Sequence, residues 1–202
     1  MSFHSIRSLA LAAGLMLTSA VAMAHPGHGA HTLAAGLLHP LGWDHLLAVL
    51  AVGLWSVLAL PAQRVWQGPV LFLLAMLGAV LLGWSGFMLP YLSHALALSV
   101  LLFGALLWLS TQNQAPLALG LGLVALAGAL HGLSHGFAAP GAGAAVYALG
   151  LVLSTAALHG AGALLGLAIR RWSAAQRRLT LGGVGAALGL AGLFLFGQQV
   201  FA

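Results

Sequence analysis

Between Pro40 and Val200 the chain runs through six apolar stretches, each close to the length that crosses a bilayer. A hydrocarbon layer about 30 Å thick takes roughly 20 helical residues. The stretches fall at about 40–60, 69–89, 91–110, 116–137, 144–169 and 179–201. Inside lipid a segment must satisfy its own backbone hydrogen bonds, so segments of this kind are helices. Pro61, Pro69, Pro90, Pro116 and Pro140 stand at or beside the joints, where a missing N–H does least harm. The expected fold is therefore all-α: a polytopic membrane helix bundle with six transmembrane helices. Only 3% of residues are charged, against about 25% in a soluble domain, and no polar stretch is long enough for an aqueous domain. The net charge of +5 is six arginines less one aspartate. Those arginines sit at helix ends, so the charge does not point to nucleic acid.

Residues 1–24 read as a secretory signal peptide. Arg7 is the basic head, Ser8 to Val21 the apolar run, and Ala22-Met23-Ala24 a small-x-small cleavage site. Residues 25–202 would then be one six-helix transmembrane domain whose first mature residue, His25, lies outside the cytoplasm. That start places the joints 61–68, 111–115 and 170–178 inside. They carry Arg64, Arg170, Arg171, Arg177 and Arg178, and the outer joints carry no charge. Basic residues collect on the cytoplasmic side, so the two signals agree. The expectation is a bacterial inner-membrane protein with both mature ends in the periplasm.

Against this background the polar residues stand out. Asp44 is the only acid, and it lies in His39-Pro40-Leu41-Gly42-Trp43-Asp44-His45 at the head of the first stretch. Ionisable groups at membrane depth are costly and mark ion paths or proton relays. His131 and His135 in the fourth stretch are four residues apart, which puts both imidazoles on one helix face. At 1.5 Å per residue, Asp44 and His45 lie roughly 6–8 Å inside the outer face and His131 about 9 Å. The two sets match in side and depth. His159 falls deeper, roughly 22 Å down the fifth stretch, where an ion leaving the outer site could meet it. His94, alone at the start of the third stretch, reads as interhelical hydrogen-bond glue. Before the first stretch, His25, His28 and His31 sit among Pro and Gly. This is either a plain polar tail or a metal-capture tail, since short His-rich tracts bind metals.

Imidazole and carboxylate suit nickel, cobalt, zinc and copper(II). Magnesium and calcium prefer all-oxygen shells. There is no cysteine, and after the signal only Met76 and Met88 remain, which leaves little for copper(I). Residue chemistry does not separate nickel from cobalt or zinc. Gly128, Gly132 and Gly136 recur every four residues, as do Gly162 with Gly166 and Gly185 with Gly189. Small residues at that spacing let helices approach closely in lipid. In the fourth stretch this ridge borders both histidines and would fix their positions.

Several of these motifs resemble those of the HupE/UreJ family of bacterial nickel permeases, linked to hydrogenase and urease maturation. The signal followed by His25-Pro26-Gly27-His28-Gly29 looks like the family's start. His39-Pro40-Leu41-Gly42-Trp43-Asp44-His45-Leu46-Leu47-Ala48 resembles its first-span signature. His131-Gly132-x-x-His135-Gly136 resembles its second motif, and Thr155-Ala156-Ala157-Leu158-His159 with Gly162 its fifth span. The resemblance covers essentially the whole chain. Three positions depart from it: Ala138 stands where a glutamate is frequent, Leu133 where a further histidine is frequent, and Val49 where methionine is common.

The resemblance implies a permease, not an enzyme, moving Ni2+ from periplasm to cytoplasm through His39, Asp44, His45, His131 and His135. No permanent cofactor is implied. Cobalt or zinc is the alternative cargo. No nucleotide-binding motif is present, so the membrane potential would drive uptake. Two other classes fit parts of the pattern. An intramembrane metallohydrolase would use His131 and His135 with Asp44 as base, but it lacks the glutamate a zincin carries between them. A bis-histidine haem protein would use His159 as one axial ligand.

Overall fold

The computed structural model describes residues 32–112, 116–136 and 143–201. The expected signal peptide, the tail histidines His25, His28 and His31, and Ala138 lie outside the described residues. Helix dominates, and there is no strand among the described residues.

The first span is not one straight helix. Helix α1 covers Leu33–Leu38, a 3-10 turn covers His39–Leu41, and α2 covers Trp43–Ala59. The two helical pieces meet at a bend of 77°. Thr32 starts α1 by accepting the Ala35 N–H at 3.1 Å, which satisfies one of the free donors of a helix start. Two residues then end it. Pro40 has no N–H to donate and its ring crowds the preceding turn. Gly42 takes an extended backbone, φ −58° and ψ 143°, and α2 begins afresh after it. The reading of a single stretch from 40 to 60 therefore missed both the bend and the short helix before it.

The other spans follow in order. Helix α3 covers Gln67–Trp84, α4 Leu92–Ser110, α5 Leu117–Gly136, α6 Ala144–Arg170 and α7 Ala174–Phe201. All five are long and apolar enough to cross a membrane, and the bent pair α1–α2, taken as one broken span, brings the number to six. Their outer faces expose Leu74, Leu81, Leu126, Leu164, Leu190 and Phe194. In water such faces would be a liability; against lipid they are the proper surface. This is a multi-pass membrane protein.

Helices pair through glycine. The ridge of α5 lies on α3: a Cβ on Gly128 would sit 2.5 Å from the Phe72 carbonyl oxygen, one on Gly132 would strike the Met76 carbonyl, and one on Gly136 would come 2.7 Å from Gly83 Cα. Between α2 and α6, Gly53 lies against the His159 carbonyl and Gly162 against that of Leu50. Between α4 and α7, Gly104 and Gly185 face each other's carbonyls. Short α1 docks on α6 through Gly36 and Gly150. Span one thus pairs with five, two with four and three with six. That pattern maps onto itself when the first three spans exchange with the last three, as an inverted repeat would require.

The two ends of the bundle differ chemically. At one end Arg170 donates to the Val57 carbonyl at 3.3 Å and Arg178 to Gln112 Oε1 at 3.0 Å. These bonds bring the end of α2 to the end of α6, and the end of α4 to the start of α7. The α1–α2 break and the end of α5 lie at the opposite end. Replacing Gly132 with valine should force α5 off the Met76 carbonyl. Overpacking of this kind costs about 1–3 kcal/mol, so we expect a clearly lower thermal midpoint for the purified variant. An unchanged melting curve would mean the α3–α5 seam is looser than described.

Candidate metal centre

The break in the first span opens directly onto α5. His39 ends α1 and His45 lies in the first turn of α2. His131 and His135 lie one turn apart at the end of α5. Their rings meet. The His45 and His135 Nε2 atoms are 2.7 Å apart. Ring centroids are 4.1 Å apart for His45 and His131, 4.6 Å for His45 and His135, and 4.4 Å for His39 and His135. His39 is half-buried, whereas His45, His131 and His135 are buried. The cluster therefore runs inward from a partly open mouth.

Hydrogen bonds orient these rings as ligands would need to be oriented. A histidine ligand needs one bare ring nitrogen, and its orientation is fixed by what the other nitrogen bonds. His131 Nδ1 donates to the Ala127 carbonyl at 2.8 Å, so its Nε2 is the bare one, and it has no hydrogen-bond partner. His39 Nδ1 lies 2.9 Å from the Tyr147 hydroxyl on α6. With Nδ1–H donating to that oxygen, the ring of His39 is oriented by Tyr147. His45 and His135 share a proton between two nitrogens aimed at one point. At metal–nitrogen distances near 2.05 Å, a tetrahedral ion would hold such a pair roughly 3.3 Å apart. The rings need part by well under an ångström to exchange that proton for a cation. Among the described residues, no three His or Asp side chains already converge at ligating distance. Closing on an ion would thus take small rotations of rings already in contact.

Asp44 stands beside the cluster, partly exposed. Its Oδ1 accepts the His45 backbone N–H at 2.9 Å and lies 3.6 Å from His45 Nδ1. The carboxylate thus meets the positive end of the α2 dipole and holds negative charge within reach of the first ring.

His159 lies apart from these residues. It is buried on α6 behind Phe72, with ring centroids 5.1 Å apart, and Phe72 in turn lies 5.6 Å from His131. His94 lies between Tyr91 and Phe196 and is not part of the cluster. Two participants were missed in the sequence. Tyr147 stands one turn into α6, at the end where the cluster lies, and a tyrosine at that level was a usable signal. Phe72 is one apolar residue in an apolar run and gave none.

Fold and site together define a multi-pass helical membrane protein with a histidine–aspartate cluster at the break of its first span. Its family is the HupE/UreJ family: the family model described as "HupE / UreJ protein" matches residues 13–195, and the chain belongs to it. It is 37% identical over 186 residues to Protein HupE of Rhizobium leguminosarum bv. viciae, across 91% of this chain and 93% of that protein. No solved structure matches.

Tyr147→Phe removes one hydroxyl and leaves the ring. Loss of a group that orients a metal ligand weakens metal affinity by about 10–100-fold. We expect a loss near the lower figure when purified protein is titrated with nickel, with unchanged thermal stability. Equal affinity in both forms would show that the phenol does not orient His39.

Proposed function

We propose that this protein imports a divalent first-row transition metal ion, nickel before cobalt or zinc, from the periplasm to the cytoplasm as a secondary permease. The observation that carries this reading is the nitrogen-rich cluster of His39, His45, His131 and His135 beside Asp44, at the end of the bundle away from the arginines. Imidazoles with one carboxylate suit such ions. Membership in HupE/UreJ, a family associated with nickel and cobalt uptake for hydrogenase and urease, supports the same cargo. It also supports a transport or accessory role over an enzymatic one, with an indirect link to maturation of nickel enzymes.

The proposed route begins at the tail histidines His25, His28 and His31, which raise the local metal concentration. The ion then meets His39 and Asp44 at the mouth, passes to His45, His131 and His135, and goes on to His159. An inward potential favours entry by about 2.3 kcal/mol per charge per 100 mV. This path needs the basic end in the cytoplasm and both mature ends in the periplasm. A reporter that is active only outside the cytoplasm, fused after Ala202, should be active; activity only of a cytoplasmic reporter would reverse the direction of transport.

Asp44 provides the sharper test. Asparagine keeps its shape and can still accept the His45 N–H, but it loses the charge. In a low-dielectric site that charge offsets much of the cost of dehydrating a dication. Asp44→Asn should nearly abolish uptake of labelled nickel at normal protein level and membrane insertion. Cobalt and zinc added in competition would rank the cargo. Near-wild-type uptake by the asparagine form would leave Asp44 a helix cap and remove it from the ion path.

A further inference from the structure

Helix α6 carries buried polar atoms that the outer cluster does not engage. Thr155 and His159 are four residues apart and so share a helix face. Thr155 is fully buried and His159 is 2% exposed. Thr155 Oγ1 has no hydrogen-bond partner, and the His159 ring, which has only the Thr155 backbone within reach, keeps at least one bare nitrogen. A buried hydroxyl in a helix ordinarily bonds the carbonyl one turn back. Ser56 does so, donating to the Val52 carbonyl at 2.7 Å, but Thr155 does not. Polar atoms left unpaired in a dry interior are costly and call for a function. Phe72, itself fully buried, stands between His159 and His131 of the outer cluster. Its backbone is held against Gly128.

We propose that Thr155 and His159 form a second, inner metal station, which takes one divalent first-row cation after it has passed Phe72. This rests on the import reading and deepens it. Imidazole nitrogen and hydroxyl oxygen are both donors for such an ion, with water completing the shell. Two protein ligands bind more weakly than the outer cluster. Weak, sequential sites suit conduction, because an ion must leave as readily as it enters. A station of this kind also gives His159 its place in the path: it is where the ion rests before release.

The full chain contains no cysteine, so His159→Cys introduces a single thiol at the station and nowhere else. The probe is cobalt(II) added to purified protein in detergent, with elution and melting used to establish folding. In a background where His25, His28 and His31 are alanine, so that the tail contributes no binding, we expect the chain to bind two equivalents, the second more weakly. His159→Cys should develop a thiolate-to-cobalt charge-transfer band as the second equivalent binds. His159→Ala should bind only one equivalent, at unchanged affinity, and lose uptake by about tenfold or more. Thr155→Val should keep two equivalents, weaken the second and slow uptake several-fold. A folded His159→Cys chain that fills its outer site with cobalt but shows no such band overturns the station, as does wild-type uptake by His159→Ala. A wild-type chain that neither binds nor takes up metal fails differently: it overturns the import reading itself, and the station with it.

Discussion

The break at Pro40 and Gly42 is the constraint on which the rest of the structure depends. A straight helix from Leu33 to Ala59 would run His39 and His45 along its own surface, with each ring facing whatever neighbour its position dictated. The bend instead turns the start of α2 inward and sets His45 edge-on or tilted against the two imidazoles of α5. It also creates two helix ends within the bundle, and ends carry unsatisfied groups. The carbonyls closing α1 favour a cation, whereas the N–H groups opening α2 oppose one. Asp44 answers the second problem by binding the His45 N–H. One carboxylate thus neutralises the unfavourable end and supplies charge to the site.

Glycine seams make this geometry rigid. Hydrophobic burial does little to join helices in lipid, so close packing must do so. The α3–α5 seam runs through Gly128, Gly132 and Gly136, interleaved with His131 and His135. Every contact that holds α5 on α3 therefore also sets the height of both imidazoles. The seam between α2 and α6 does the same for His159, whose carbonyl lies against Gly53. Packing and site share the same stretches of helix.

This explains what was legible in the sequence. Apolar runs, prolines and arginines marked the spans to within a few residues, because lipid imposes one rule on every position. The glycine ridge and the four-residue spacing of His131 and His135 were visible because helical periodicity is local. The bend was not: His39 to His45 was read as the head of a continuous helix, although Pro40 with Gly42 is the pair that ends one. Tertiary neighbours were harder still. That His39 would meet Tyr147, 108 residues away, depends on α1 docking against α6, and no local pattern encodes it. Phe72 is distinguished only by what stands on its two sides.

The charge count sets how tightly such a site can hold its cargo. At 4 Å and an effective dielectric near 20, a pair of unit charges gains about 4 kcal/mol. A dication facing one carboxylate gains roughly twice that, and neutral imidazoles add ligands without adding charge. A second carboxylate would double the attraction and deepen the trap. Asp44 is the only acid in the chain. With Asp44 alone, the site and a bound dication together would keep a net charge of +1, and a membrane potential would still act on the whole dication. At 100 mV that pull is about 4.6 kcal/mol, of the same order as the carboxylate's hold. A site with one acid and several imidazoles would therefore suit nitrogen-loving ions while holding them less deeply than a site with two acids.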